Sequence, residues 1–211
     1  MPTHSNRDLA ILTARHWMEC DPVFLDTETT GLDTNAQICD LAIVDGSGQT
    51  LFDSLVKPTM PIPDAASSIH HITNEMVSGA LPLSVYWNTI RRLLSGRLII
   101  TYNADYDLRL LYQSAAAARC PSPFVNFLQA GCVMQLYARY YGELTQYGGA
   151  YRWHKLTLAA QQCGIDPGSN PLHRALADTQ LSRLVTIHMA QAKLEAEREA
   201  QVPWEAQLEP F

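Results

Sequence analysis

The stretch Pro22–Leu32, PVFLDTETTGL, decides the reading of the chain: an apolar run stops on Asp26 and Glu28 and then turns at Gly31. Side chains alternate along a strand, so these two carboxylates stand side by side on one face. Such a pair persists when one member is protonated, when solvent screens both, or when a hard cation lies between them. A solvated strand end followed by a turn would carry the same pattern, so the rest of the sequence has to decide.

The chain has 211 residues, 47% of them hydrophobic, which suits one globular domain with a proper core. Residues 1–200 read as that domain, with a core from about 22 to 190 and a flexible tail over 201–211. No window approaches the roughly 18 uninterrupted apolar residues of a membrane span, and the N-terminal stretch lacks the order of a signal peptide, so the expectation is a cytoplasmic protein without membrane contact. Five cysteines with no close pair argue against a disulfide framework or a structural zinc site. The net charge of -6 is unevenly spread, with -8 over residues 1–90, +5 over 91–183 and -3 over 184–211. The middle segment can therefore present a positive surface to phosphates.

Helical periodicity covers residues 7–19, with Ala10, Ile11, Ala14, Trp17 and Met18 on one face. VFLDTE, QICDLAIVD and TLFDSLVKP read as three strands in antiparallel succession, the last two joined by the turn GSGQ. The prolines of PTMPIPDAASS (58–68) predict irregular structure, and TNEMVSGA a short helix capped by Thr73 with Met76 and Val77 inward. LSVYWNTIRRLLSG is an amphipathic helix stopping at Gly96, RLIITYN a strand, ADYDLRLLYQSAAAAR a helix and PFVNF a short strand. Helices follow at VMQLYARYY and KLTLAAQQCG, and one long final helix runs from about His173 into AKLEAEREA. Alternating strands and helices in the second half favour parallel pairing.

Two later junctions bring further acids. In LIITYNADYDLRLL a strand ends at Asn103 and Asp107 falls in the first turn of the next helix, where a carboxylate also suits the helix dipole. In PLHRALADTQLS, His173 can lie in a loop and Asp178 on the first turns of the final helix, so that both reach one cleft.

The order Asp-x-Glu, Asp, His-x4-Asp, each flanked by apolar runs, resembles the DEDDh family of 3'-to-5' exonucleases, to which the proofreading epsilon subunit of bacterial DNA polymerase III belongs. Its three motifs match FLDTETTGL, YNADYDLRLL and HRALAD, and the likeness runs from about Val23 to Val185. It includes IHHITNEMV, where His71 stands in place of the usual Gly and a positive φ would strain the backbone. The family spacing from Asn103 selects Asp107 over its neighbour Asp105.

The resemblance implies a ribonuclease H-like α/β fold: a mixed five-stranded sheet, antiparallel in its first three strands, with helices on both faces. It implies two divalent cations, Mg2+ or Mn2+, held by Asp26, Glu28, Asp107 and Asp178, with His173 as general base. Thr29, Gly31, Leu32 and Asn103 would border the terminal nucleotide. The expected activity is release of nucleoside 5'-monophosphates from single-stranded 3' ends, DNA first. The alternatives are an RNA-directed exoribonuclease or oligoribonuclease of the same family, and an accessory that docks on a polymerase or sliding clamp. The tail QLEPF (207–211) loosely resembles clamp-docking peptides, and the loop bearing Tyr147, Tyr151, Arg152, Trp153 and Lys155 can stack bases and hold phosphates.

Overall fold

The computed structural model describes residues 5–121, 130–146, 148–166 and 174–199. Its first half runs α1 (Asn6–Glu19), β1 (Val23–Thr29), β2 (Ile38–Asp45), β3 (Thr50–Leu55), α2 (Asp64–His70), α3 (Asn74–Ser78) and α4 (Leu83–Leu94). The second runs β4 (Ile99–Thr101), α5 (Ala104–Ala117), β5 (Ala130–Cys132), α6 (Val133–Tyr141), α7 (Leu156–Gln162), α8 (Ala175–Gln191) and α9 (Glu195–Glu199).

The strands form one sheet in the order β3-β2-β1-β4-β5. β1 pairs antiparallel with β2, and β2 with β3, whereas β4 runs parallel to β1 and β5 parallel to β4. This is the mixed sheet the sequence predicts. Alternation along β1 splits the core: Phe24 packs with Ile11, Ile100, Tyr137, Val185 and Met189, while Val23 and Leu25 pack on the other face with Trp87, Ile90, Leu94, Leu110 and Leu111. Helices α1, α6 and α8 therefore cover one face, and α4 and α5 the other. Buried Ala175, Thr179 and Ser182 give α8 a surface of small side chains toward the sheet, which lets its axis lie close to β1 and β2.

Several expectations need correction. Residues 64–70 form α2 despite the prolines before them, because Pro63 occupies the N-cap, where its missing N–H costs nothing, and no proline follows. Val77 points inward as expected, but Met76 is exposed. The long final helix breaks at Ala192 and resumes as α9. Arg15 of α1 donates to the carbonyls of Ala190 and Ala192, and Asp8 Oδ1 accepts from Glu195 N–H, so contacts from the other end of the chain override local helix propensity. The PFVNF segment lies outside the described residues. The fifth strand is Ala130–Cys132, where Gly131 has no Cβ and so leaves room for the Trp17 ring.

His71 caps α2 in the left-handed conformation, φ 60°, with its side chain exposed. An exposed β-carbon in that region is strained, so His71→Gly is expected to stabilise the protein by about 1 kcal/mol, raising Tm by roughly 2–4 °C in a thermal melt.

Candidate active site

Asp26 and Glu28 continue the face of β1 that Phe24 begins, the face covered by α8. The small Ala42 stands opposite Asp26 across the β1–β2 ladder, and Asp40 stands opposite Glu28. Asp178, in the first turn of α8, meets the pair from above. One carboxylate oxygen from each of Asp26, Glu28 and Asp178 lies within 4.8 Å of the others, a grouping that could hold a metal ion.

Asp107 arrives from the other layer. It sits in the first turn of α5, directly after β4, and its Oδ1 accepts a 2.9 Å hydrogen bond from Thr27 on the α5 side of β1. It is buried, whereas Asp105 is exposed, as the helical spacing requires. Asp107 lies outside the tight trio but lines the same cleft of about 260 Å³, together with Asp26, Glu28, Asp178, Asn103 and Lys155. His173 lies outside the described residues, as do Tyr147 and the tail 207–211.

A larger cavity of about 500 Å³ adjoins this cleft, sharing Thr27, Glu28 and Tyr106 with it and bordered by Thr29, Gly31, Leu32, Ile69 and His70. Its floor is fixed by hydrogen bonds. The Thr29 and Tyr106 hydroxyls lie 2.7 Å apart, and both lie within hydrogen-bond reach of the Gly31 carbonyl, at 2.9 and 3.1 Å, one hydroxyl donating to the carbonyl and the other to its neighbour. Arg109 stacks over Tyr106 and donates to the carbonyls of Leu32 and Asp33, holding the loop from the α5 side. Leu32 itself is 79% exposed and so free of the core.

The sequence reading missed Asp40. It lies in the middle of β2, fully buried beside Glu28, and its Oδ2 accepts a 2.8 Å bond from Arg174 Nε and a longer one from Ala175 N–H. Among the described residues Oδ1 has no hydrogen-bond partner. The signal was present, an acid between apolar residues in ICDLAIVD, but only the cross-strand register places it against Glu28.

Burial and crowding set the electrostatics. Burial first, and then the carboxylates of Asp107, Asp178, Glu28 and Asp40, raise Asp26 well above the usual range. Burial, then Asp178, Asp40 and Asp107, push Glu28 up to about 8. Burial pushes Asp107 up to about 7 against the opposing Thr27 hydrogen bond. Groups whose folded pKa is raised contribute stability that is complete below the unfolded carboxylate range and is lost as pH rises through the folded values. In EDTA the protein is therefore expected to lose about 2 kcal/mol between pH 5 and pH 8.5 after allowance for screening. Calorimetry would read this as a fall in Tm of roughly 4–8 °C.

Among the described residues, no helix is long and apolar enough to cross a membrane. The family model for exonucleases matches residues 23–186, most of the chain and all four carboxylates. An uncharacterized exonuclease, CP81, of Escherichia phage 186 is 41% identical over 172 residues, covering 80% of this chain and 88% of that protein. A DNA polymerase III subunit epsilon-like protein of Rhodobacter capsulatus is 29% identical over 167 residues, 74% of this chain but only 22% of that longer protein. Among solved structures, the nuclease domain of 3'hExo, a DEDDh family member bound to rAMP, shares the fold with a TM-score of 0.65 at 17% identity, over 83% of this chain and 94% of that one. Exonuclease X in complex with 5' overhanging duplex DNA gives 0.58 at 22% identity, over 84% and 97%. The chain belongs to the DEDDh 3'-5' exonuclease family.

Proposed function

We propose that the protein hydrolyses the last phosphodiester of single-stranded DNA from its 3' end and releases nucleoside 5'-monophosphates. The observation that carries this reading is the convergence of Asp26, Glu28 and Asp178 oxygens within 4.8 Å, at the join of a nucleotide-sized cavity and a second cleft. The donor set suits hard divalent cations. It is all oxygen and of one charge, and burial and mutual crowding raise Asp26 and Glu28 toward protonation.

Asp26, Glu28 and Asp178, with Asp107 as the fourth carboxylate, would hold two Mg2+ or Mn2+ ions. Bound there, the cations relieve the negative charge of the reacting phosphate and acidify a water. The chain supplies the rest. Thr27 orients Asp107 from the opposite face of β1. His173, one residue before Arg174, takes the proton of the attacking water, since an imidazole with a pKa near about 6.5 does so near neutral pH. Thr29, Gly31 and Leu32 border the terminal nucleotide, with the exposed Leu32 side chain against the last base and Asn103 on the cleft side. Support for a DNA substrate comes from the solved neighbour E. coli Exonuclease I, bound to a dA16 oligonucleotide.

The test is degradation of 5'-labelled single-stranded DNA and RNA of equal sequence, by wild type and Asp26→Asn, with Mg2+, Mn2+ or EDTA. The expected result is a ladder shortening from the 3' end, lost in EDTA and in the variant, with DNA the faster substrate. Faster RNA shortening would reassign the sugar, and no shortening of either would overturn the reading.

A further inference from the structure

We propose that Trp153 and Lys155 form an upstream subsite that holds the single strand on the 5' side of the scissile phosphate. The subsite would take a stacked base on the indole and a phosphate on the amine. This rests on the exonuclease reading and extends it beyond the terminal nucleotide.

The geometry begins where α6 ends at Gly142. The chain turns back as a short hairpin, with Arg152 N–H on the Glu143 carbonyl, Thr145 N–H on the Ala150 carbonyl, and Leu144 bridged to Tyr151. From Tyr151 it runs to Lys155, the extended N-cap of α7, with exposed Trp153 and Lys155 on either side of buried His154. His154 points inward, 4% exposed, with its ring against Tyr137 and Tyr141, and its carbonyl accepts a 2.6 Å bond from the Tyr102 hydroxyl. That anchor fixes the residues on either side of it.

Besides His154, Tyr151 and Arg152 are already engaged. The Tyr151 hydroxyl accepts from Asn6, and the Arg152 guanidinium is held by the Glu143 carboxylate at 2.7 Å. Trp153 and Lys155 lie on the outward side of the anchor. Trp153 is 63% exposed, a large flat apolar surface facing solvent. Lys155 lines the acidic cleft itself yet forms no ion pair among the described residues. A lysine kept beside carboxylates without pairing to them suits an anion brought in from outside.

The layout of the cavities gives the direction. The larger one lies on the Leu32 side of Glu28, and the cleft with Lys155 lies on the other. With the terminal nucleotide in the larger cavity and its phosphate over the carboxylates, the preceding nucleotides leave past Lys155 and the exposed Trp153. A duplex offers no unstacked base to the indole, so the subsite favours single strands. Stacking and phosphate charge are common to DNA and RNA.

The experiment compares kcat/KM on oligonucleotides of two to eight residues, in DNA and RNA series, for wild type, Trp153→Ala, Trp153→Phe and Lys155→Met, with circular dichroism as the check on folding. Wild type is expected to gain with length, and Trp153→Ala to lose about tenfold of that gain while Trp153→Phe retains most of it. Lys155→Met is expected to lower the salt slope of oligonucleotide binding by about 0.7, the share of one phosphate contact on a single strand. A gain in only one series would assign the subsite to that sugar. Equal length dependence in wild type and Trp153→Ala, or none in wild type, would overturn the subsite while leaving the exonuclease reading intact. A wild type inactive at every length would overturn both.

Discussion

Asp26→Asn is expected to lose hydrolysis by at least about a thousandfold, roughly 4 kcal/mol of transition-state stabilisation, while making the metal-free protein more stable. The two effects share one cause. Asp26 is buried and crowded by Asp107, Asp178, Glu28 and Asp40, so its ionised form is opposed on every side. Asn keeps the shape and removes the charge, which is expected to raise the Tm in EDTA by roughly 2–4 °C. Added Mn2+ is expected to raise the Tm of wild type further than that of the variant, because a cation bound only by the folded state stabilises it by mass action. A purely structural acid would behave in the opposite way: its loss would lower the Tm in EDTA, and Mn2+ would act equally on both proteins.

How far the sequence revealed this site depends on the range of the interactions involved. Asp26 and Glu28 were legible because strand alternation is local, and β1 is regular enough for Leu25 and Thr27 to take the opposite face. Asp107 was legible beside Asp105 because helical spacing turns one inward and the other out. Leu32, apolar and therefore also suited to a core, is exposed and lines the cavity, where the family resemblance expects it. What stayed hidden was set by distant partners. Asp40 becomes part of the carboxylate group only through the β1–β2 register, and the α8–α9 break only through Asp8 and Arg15 near the start of the chain. β5 carries no branched residue to announce a strand, since Gly131 is there to admit Trp17.

Removing the counter-charge of Asp40 should weaken both the fold and the site. Arg174→Met leaves a fully buried carboxylate beside Glu28 without its ion pair. Breaking a wholly buried pair costs about 3–5 kcal/mol, and because Arg174 is about one-third exposed the expected loss here is about 2–3 kcal/mol by urea denaturation. Arg174 also caps α8, and its carbonyl accepts the Asp178 N–H at 3.1 Å. A loosened cap therefore lets Asp178 drift from Asp26 and Glu28, and affinity for Mn2+ by titration calorimetry is expected to fall about tenfold, or about 1.4 kcal/mol. The double variant Asp40→Leu with Arg174→Met separates the two roles. Replacing both members of a buried pair with apolar groups restores stability, so urea midpoints should recover toward wild type. Mn2+ affinity should stay low, because no apolar contact replaces the directional hold of the Asp40 carboxylate on the start of α8. Recovery of both would mean that the pair only balances charge, and recovery of neither would mean that Asp40 is required for the β2 strand itself.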